Sequence, residues 1–278
     1  MKRAWVVLAL LVATVAHASW TREGGPGGGG NWRSVDVNSS GRMAIASDVS
    51  GFYWIQGNSG GEINYLNGLA ATAIYTLRWD PFNPSILLIG TGNGLYRSST
   101  SGASSAPLTS FIGDDVTALG WATGAADSGV VACMWARDTS NATPPLYFSI
   151  STATGSSAGN VWTTVTRNPP GLKPALEETT DVARGGVRVR VPIKILFDPT
   201  QTGSSRDIYV LFGECVRTVR KSGTGAKSGT GNMKEIWKSV DGGSNWSRIA
   251  PTGYSPMNPI DMSWSHKPLR SRMTIQPR

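Results

Sequence analysis

A weak repeat of a little over forty residues constrains this chain more than any other feature of its sequence. Tyr53 and Tyr96 are 43 residues apart, and Trp79 and Trp121 are 42 residues apart. A repeat of fixed period indicates a stack of similar supersecondary units, and a four-stranded propeller blade has about this length. The repeat therefore predicts an all-β protein built from β-propeller blades.

Two columns of apolar strands carry the repeat. The first column is an aromatic strand that leads into a turn, with copies at residues 51–54, 94–97, 145–148 and 235–238. The second column is a strand that runs into a turn, with copies at 77–81, 119–122, 195–199 and 262–264. A further apolar strand lies between the columns, and Trp162 and Trp246 mark the last strand of a unit. These copies predict about four to five blades of four strands.

The composition agrees with strands and turns and excludes nucleic acid as a partner. The chain has 34 Gly and 16 Pro, which interrupt helices and favour turns. Its net charge is +8, but two basic residues lie in 1–18 and four in 265–278, without an acidic residue in either segment. A nucleic-acid binder needs a dense basic face, and the body between these segments carries only +2.

The N-terminus predicts export. Lys2 and Arg3 precede an apolar run over residues 4–15, and the small residues Ala16 and Ala18 follow. This order is typical of a signal peptide, and the run is too short to span a bilayer. We expect a signal peptide at 1–18, cleavage after Ala18, an extracellular location and no membrane partner after cleavage. The alternative is an uncleaved anchor.

Three further segments follow the signal peptide: a Gly-rich lead-in at 19–31, a partial propeller at 32–264 and an irregular basic tail at 265–278. Two cysteines, Cys133 and Cys215, lie within the propeller. In an oxidising compartment they either pair or remain buried free thiols. We expect no cofactor and no metal site, because His266 is the only histidine beyond the signal peptide.

Residues 239–246 read SVDGGSNW and form the clearest motif. They match the Asp-box, S-x-D-x-G-x-[ST]-W, on Ser239, Asp241, Gly243 and Trp246, with Asn245 in place of Ser or Thr. The Asp accepts hydrogen bonds from its own turn, and the Gly supplies a positive φ. We therefore expect a structural role. Elsewhere the box is degenerate: 98–102 keeps Ser and Gly, and 149–151 keeps only Ser.

Several segments, in order, resemble glycoside hydrolase family 74, the xyloglucan-cleaving endoglucanases. Residues 46–54 resemble the first-blade signature [ST]-D-[IV]-G-G-x-Y-[RW], with Ser50 at a position where Gly is usual. Residues 79–84 and 89–94 resemble the second blade, and 161–162 with 169–174 a connection between blades. Residues 207–210, 236–237 and 249–251 resemble the next blade. The resemblance covers about 32–259.

The resemblance implies a seven-bladed propeller, present here in part, that faces a second propeller across a substrate cleft. It also implies inverting hydrolysis, in which an acid and a base act from opposite sides of the scissile bond. Asp48 matches the carboxylate of the first propeller, which implies the base. The second propeller and its carboxylate have no counterpart in this chain, so a possible endo-β-1,4-glucanase activity is left uncertain.

Each candidate site residue also has a structural interpretation. Asp48 precedes a Gly-containing turn, where Asp is often a turn former. Tyr53, Trp54 and Trp79 are candidates for stacking on sugar rings, since aromatic faces suit the apolar faces of pyranoses. They also occupy repeat columns, which predicts packing within the blades. We interpret Asp80, and likewise Asp198, as a turn residue at a strand end.

The sequence thus supports two functions. The first is a secreted glycoside hydrolase-like propeller that acts on or binds plant-type β-glucan or xyloglucan, or a truncated and inactive form of such an enzyme. The alternative is a non-catalytic secreted Asp-box propeller that binds glycan or protein, as sortilin-like domains do. A sialidase is disfavoured, because a Phe-Arg-Ile-Pro segment is absent and Arg184, Arg188 and Arg190 are too close together to form the required site.

Overall fold

A computed structural model describes eleven segments of the chain: 32–47, 51–56, 68–70, 73–137, 146–167, 178–181, 186–203, 206–217, 235–249, 261–265 and 272–276. Regular structure in these segments consists of strands and three short 3-10 turns, at Thr109–Phe111, Ala125–Asp127 and Gly155–Ser157. In the same segments, no helix has the length and apolar character needed to cross a membrane. The predicted signal peptide and the Gly-rich lead-in lie outside them.

Four antiparallel sheets follow one another along the chain. The first consists of β1 (Trp32–Val37), β2 (Arg42–Ser47) and β3 (Phe52–Gln56). The second consists of β4 (Ile74–Trp79), β5 (Leu87–Thr91), β6 (Gly94–Ser98) and β7 (Ala106–Pro107). The third consists of β8 (Asp114–Trp121), β9 (Val131–Arg137), β10 (Leu146–Ser151) and β11 (Thr163–Arg167).

The fourth sheet consists of β12 (Glu178–Asp181), β13 (Gly186–Phe197), β14 (Ile208–Arg217), β15 (Glu235–Ser239) and β16 (Ser247–Ile249). A separate pair, β17 (Asp261–Ser265) and β18 (Arg272–Gln276), follows it. β18 lies inside the segment predicted to be an irregular tail, so regular structure extends beyond the last recognisable repeat.

The four sheets are the blades of a β-propeller, which confirms the predicted fold class. β1, β4, β8 and β13 pack next to one another in chain order, so they form the inner wall around the propeller axis. The later strands of each blade lie progressively farther out. The second sequence column falls on inner strands β4, β8, β13 and on β17, and the first falls on β3, β6, β10 and β15.

The hydrophobic core lies between the blades. Side chains alternate across each strand, so Leu87 and Ile89 of β5 pack toward blade 1, whereas Leu88 packs toward blade 3. All five residues of β5 are consequently buried. On blade 1, Val35 and Val37 are 58% and 52% exposed. Strand β5 thus packs against a neighbouring blade on each of its two faces, whereas β1 has two valines that the described residues leave largely exposed.

The core also contains a buried ion pair between blades 3 and 4 and a buried thiol within blade 3. Arg206 donates from Nη2 to Asp127 Oδ1 at 2.9 Å, and both side chains are buried, so this ion pair joins the two blades. Cys133 is a buried free thiol in β9, and burial raises its pKa well above the usual value. Of the two alternatives for the cysteines, the structure therefore has Cys133 unpaired.

Candidate functional site

The propeller has two ends, which we name by the direction of the inner strands. The inner strands begin at the upper end and finish at the lower end. Trp32 pairs with Ser47, whereas Val37 pairs with Met43 near the lower end. Ser47 N donates to Gly51 O at 2.9 Å, so the residues on either side of the segment 48–50 lie at the upper end. Asp48 itself is outside the described residues, and its catalytic role stays a prediction.

The turn between β5 and β6 lies at the upper end of blade 2, next to two polar side chains. A β-carbon on Gly92 would lie 3.1 Å from Tyr75 Oη and 3.4 Å from Asp115 Oδ1. Tyr75 belongs to blade 2 and Asp115 to blade 3, and both are half-buried. Because Gly92 has no side chain, a phenol and a carboxylate from neighbouring blades both approach its backbone closely.

This turn is held rigidly by its own residues. Thr91 Oγ1 donates to Gly94 O at 2.8 Å and accepts from Asn93 N at 3.0 Å. Gly94 has a φ of 113°, and a β-carbon there would lie 2.7 Å from Phe111 O, so glycine is required. Sequence reasoning recognised residues 89–94 as a family-like segment but missed Tyr75 and Asp115.

The three aromatic residues considered for sugar stacking are all buried. Tyr53 is 3% exposed, Trp54 9% and Trp79 4%. Trp54 and Trp79 pack in the core between blades 1 and 2, and the Arg42 guanidinium lies 4.2 Å from the centre of the Trp54 ring. These positions agree with the blade-packing interpretation, and a substrate-binding role for them stays a prediction.

A pocket of about 240 Å³ opens at the lower end, where the inner strands of all four blades finish. Its lining includes two acidic and two basic side chains and two tryptophans: Asp36, Asp80, Arg78, Lys194, Trp79 and Trp121. None of the acidic or basic members was proposed as a ligand-binding residue from the sequence, because they come from three different blades and Asp80 is interpreted as a turn residue. We call this cavity the axial pocket.

Asp36 is the central acidic group of the axial pocket. Its Oδ2 accepts from Trp79 N at 2.8 Å, and its Oδ1 accepts from Val37 N at 3.0 Å. Burial raises the pKa of Asp36, and these hydrogen bonds and the charges of Arg78 and Lys194 oppose that rise without cancelling it. The carboxyl group thus joins blade 1 to blade 2, and the positive charges of Arg78 and Lys194 act on it.

The other acidic group of the pocket is occupied by its own turn. Asp80 Oδ1 accepts from Phe82 N at 2.8 Å and from Asn83 N at 3.2 Å. Burial raises the pKa of Asp80 as well. At the corresponding end of blade 4, Asp198 Oδ1 accepts from Thr200 N at 2.8 Å. Both aspartates act as strand-end turn residues, as the sequence predicts.

The residues of the Asp-box-like segment form a closed set of hydrogen bonds at the lower end of blade 4. Ser239 Oγ accepts from Gly243 N and donates to Asp241 Oδ1, both at 2.8 Å. Asp241 also accepts from the backbone and side chain of Asn245, at 2.8 and 2.7 Å. Trp246 Nε1 donates to Gly243 O at 3.0 Å, so the ring folds back under the turn.

The equivalent turn of blade 2 uses the same plan with uncharged residues. Ser98 Oγ accepts from Gly102 N at 3.1 Å, and the Thr100 hydroxyl lies 3.3 Å from it. Thr100 Oγ1 accepts from Ser104 N at 2.9 Å, as Asp241 accepts from Asn245 N. Arg42 of blade 1 donates to Ser101 O, which ties the turn to the preceding blade.

In blade 3 the strand register identifies Ser151 as the equivalent serine. Ser151 pairs with the first residue of β9, as Ser98 pairs with the first residue of β5. Trp162 Nε1 donates to Gly159 O at 2.9 Å, as Trp246 does to Gly243 O. The turn between Ser151 and Trp162 is four residues longer than that of blade 4. The sequence locates the degenerate box at 149–151, which contains both Ser149 and Ser151, and does not distinguish between them.

Comparison with known proteins supports the fold and leaves the family unassigned. No family model matches the sequence, and no curated protein matches it. An ancestral GH74 enzyme is similar in structure, with a TM-score of 0.55 and 21% identity, over 85% of this chain and 26% of that enzyme. The GH74 xyloglucanase from Xanthomonas campestris has a TM-score of 0.42 and 16% identity, over 80% of this chain and 30% of that enzyme. YCF48 bound to D1 peptide has a TM-score of 0.49 and 12% identity, over 94% of this chain and 67% of that protein.

The chain therefore spans roughly a quarter to a third of the length of the two GH74 enzymes. At these identities, the structural likeness shows a β-propeller and does not extend to an activity.

Proposed function

We propose that this chain is a secreted propeller that binds plant-type β-glucan or xyloglucan at its upper end, around Asp48. One observation carries the proposal: Ser47 and Gly51, on either side of residues 48–50, lie at the same end as Tyr75 and Asp115 beside Gly92. Tyr75 of blade 2 and Asp115 of blade 3 thus lie at the end of the propeller where β2 ends and β3 begins, before and after the segment that contains Asp48. The resemblance of the 46–54 segment to the family signature supports the same ligand class.

The chemistry of the upper end suits a polysaccharide. Sugar hydroxyls both donate and accept hydrogen bonds, and the Asp115 carboxylate accepts them while the Tyr75 hydroxyl does either. Asn93 is exposed on the same turn and adds an amide that donates and accepts. Because Gly92 adds no bulk, a chain lying across the turn reaches Tyr75 and Asp115 without displacing the backbone.

Binding, rather than cleavage, is the part of the function that we assign to this chain. Inverting hydrolysis needs two carboxyl groups about 6.5–9.5 Å apart, one as acid and one as base. The family resemblance offers Asp48 as the base and places the acid on a second propeller. Hydrolysis by this chain would accordingly depend on an acid supplied from outside the residues that resemble the family.

The binding test compares three upper-end variants with a matched lower-end control. Calorimetry of the purified chain with xyloglucan oligosaccharides and cellohexaose measures the affinity. We expect Asp48→Asn, Asp115→Asn and Tyr75→Phe each to weaken binding about tenfold, in line with the loss of one or two hydrogen bonds. Asp198→Asn makes the same chemical change at the lower end and should leave the affinity unchanged.

Two results would contradict the proposal. The first is a well-folded chain that binds none of these glycans. The second is an affinity that falls as much in Asp198→Asn as in the upper-end variants. Release of reducing ends from xyloglucan, abolished by Asp48→Asn, would extend the proposal from binding to hydrolysis.

Secretion is tested separately with the native N-terminus. Expression with residues 1–18 present should yield extracellular protein whose first residue is Ser19, because cleavage is expected after Ala18. Protein retained in the cell or membrane with Met1 intact would contradict export.

A further inference from the structure

The axial pocket lies at the opposite end of the propeller from Ser47 and Gly51, and no motif of the sequence contains its three charged residues Asp36, Arg78 and Lys194. It is formed where β1, β4, β8 and β13 converge, so four blades contribute to it. Three charged side chains from three blades meet there: Asp36, Arg78 and Lys194. Both cations act on the Asp36 carboxyl group. Such convergence of polar groups in a cavity is typical of a ligand site.

The charges of the pocket favour a neutral ligand. Arg78 and Lys194 balance Asp36 and Asp80, so the lining has no excess charge to attract a phosphate or a strongly cationic group. Each oxygen of Asp36 accepts one backbone hydrogen bond and keeps a second lone pair. The pocket thus offers donors from cations beside an acceptor, which is the mixed set that neighbouring sugar hydroxyls require.

The size and walls of the pocket limit the ligand to a small unit. Its volume of about 240 Å³ is below the roughly 300–1,000 Å³ of pockets for drug-sized ligands. Trp79 and Trp121 contribute apolar wall, and Trp121 is fixed by its Nε1 donating to Arg78 O at 3.3 Å. One or two rings at the end of a glycan fit these limits better than the middle of an extended chain.

We propose that the axial pocket is a second glycan site, separate from the upper end, which binds the terminal sugar of a neutral β-linked glycan. Asp36 accepts hydrogen bonds from its hydroxyls, Arg78 and Lys194 donate to them, and the two tryptophans contact its apolar face. The choice of a sugar as the ligand rests on the proposed function. The location, charge balance and size of the site rest on the pocket itself.

The test uses the purified chain with cellobiose and methyl β-glucoside as probes, measured by saturation-transfer NMR and calorimetry. Lys194→Met removes a donor with little change in volume, and Thr123→Trp obstructs the pocket from an exposed lining residue. We expect each variant to weaken cellobiose binding at least tenfold, with unchanged thermal unfolding in Thr123→Trp. Asp36→Asn adds a third measurement, and Asp198→Asn, the same chemical change at a residue outside the pocket lining, should leave cellobiose binding unchanged.

The outcomes separate this site from the upper one. Cellobiose binding that is lost in Thr123→Trp and Lys194→Met but kept in Asp198→Asn supports the axial site, even if xyloglucan oligosaccharides do not bind the upper end. Cellobiose binding that is lost in Asp48→Asn and kept in Thr123→Trp overturns the axial site and leaves the proposed function standing. Absence of binding to either probe, or stronger binding of inorganic phosphate than of cellobiose, also overturns it.

Discussion

The lower-end turns of blades 2 and 4 have the same hydrogen-bond plan but different side chains. In both, a serine at the end of the third strand accepts from a glycine amide four residues later, Ser98 in blade 2 and Ser239 in blade 4. Blade 4 places the Asp241 carboxylate at the next position of the plan, whereas blade 2 places the Thr100 hydroxyl there. The carboxylate is therefore dispensable for the backbone path.

What differs is how firmly each turn is joined to the rest of the molecule. The carboxylate of blade 4 gathers three donors, from Ser239 and from the backbone and side chain of Asn245. Blade 2 has Ser105 at the position of Trp246, so no aromatic ring anchors its turn from within. Its anchor is external, since Arg42 of the preceding blade holds the Ser101 carbonyl. The turn of blade 4 also contacts the preceding blade, because Thr166 Oγ1 of blade 3 donates to Gly243 O at 3.2 Å. The degenerate box of blade 2 therefore keeps the contact with its neighbour and has fewer internal bonds.

Removal of the anchoring ring should produce the largest effect in this comparison. Trp246 is 5% exposed, and its ring lies edge-on to Phe148 with centroids 5.4 Å apart. Trp246→Ala should lower the free energy of unfolding by about 3–5 kcal/mol, as expected for a buried aromatic. Urea unfolding followed by circular dichroism measures it.

The matched change in blade 2 is Ser105→Ala. Ser105 Oγ is buried without a hydrogen-bond partner among the described residues, so we expect no loss and a gain of up to about 1 kcal/mol. A cost for Ser105→Ala comparable to that of Trp246→Ala would show that the anchor of blade 2 has been misidentified.

The glycines of the two turns provide a second, smaller contrast. Gly243 and Gly102 both have positive φ, 101° and 83°, but their surroundings differ. A β-carbon on Gly243 would lie 2.1 Å from Phe148 Cε1, whereas one on Gly102 would come no nearer than 3.4 Å, to Trp79. Gly243→Ala should cost about 3 kcal/mol, from backbone strain and overpacking together, and Gly102→Ala about 1 kcal/mol, from strain alone.

The difference between the two Gly→Ala variants isolates the packing contribution, because the backbone conformation is shared. It is measured by chemical unfolding under one set of conditions. Equal costs would mean that Phe148 moves aside freely, and the close contact of blade 4 with blade 3 would then contribute little to stability.

The features that the sequence predicts are those that depend on residues close to one another in the chain. Strand columns are readable because aromatic and apolar residues alternate within five or six neighbours, and the Asp-box because its donors and acceptor lie within eight residues. Ser151 was harder to assign, since its equivalence to Ser98 depends on pairing with β9 and on an insertion before Trp162. Asn245 departs from the motif yet donates twice to Asp241.

The residues of the two proposed ligand sites are far apart in the sequence. Asp36 meets Arg78 and Lys194 only because inner strands from separate repeats converge on the axis. Tyr75 and Asp115 are brought together across a blade boundary beside a glycine. Neither set has a spacing that a motif would record, so assigning them required the arrangement of the blades.

Acid should remove the remaining difference between the two turns, with the smallest effect of the three. Burial alone would raise the pKa of Asp241, but the hydrogen bonds from Asn245 and Ser239 outweigh it and lower the pKa below its usual value. A lowered pKa in the folded state stabilises the fold above the unfolded pKa of about 3.9, and this stabilisation is lost as the pH falls through the folded value.

The difference in the free energy of unfolding between wild type and Asp241→Asn should therefore shrink as the pH is lowered from 6 to 3. Thr100→Val, which removes the equivalent uncharged group of blade 2, should differ from wild type by the same amount at both pH values. A gap for Asp241→Asn that stays constant over this range would mean that the charge of the carboxylate contributes nothing beyond the shape of the turn.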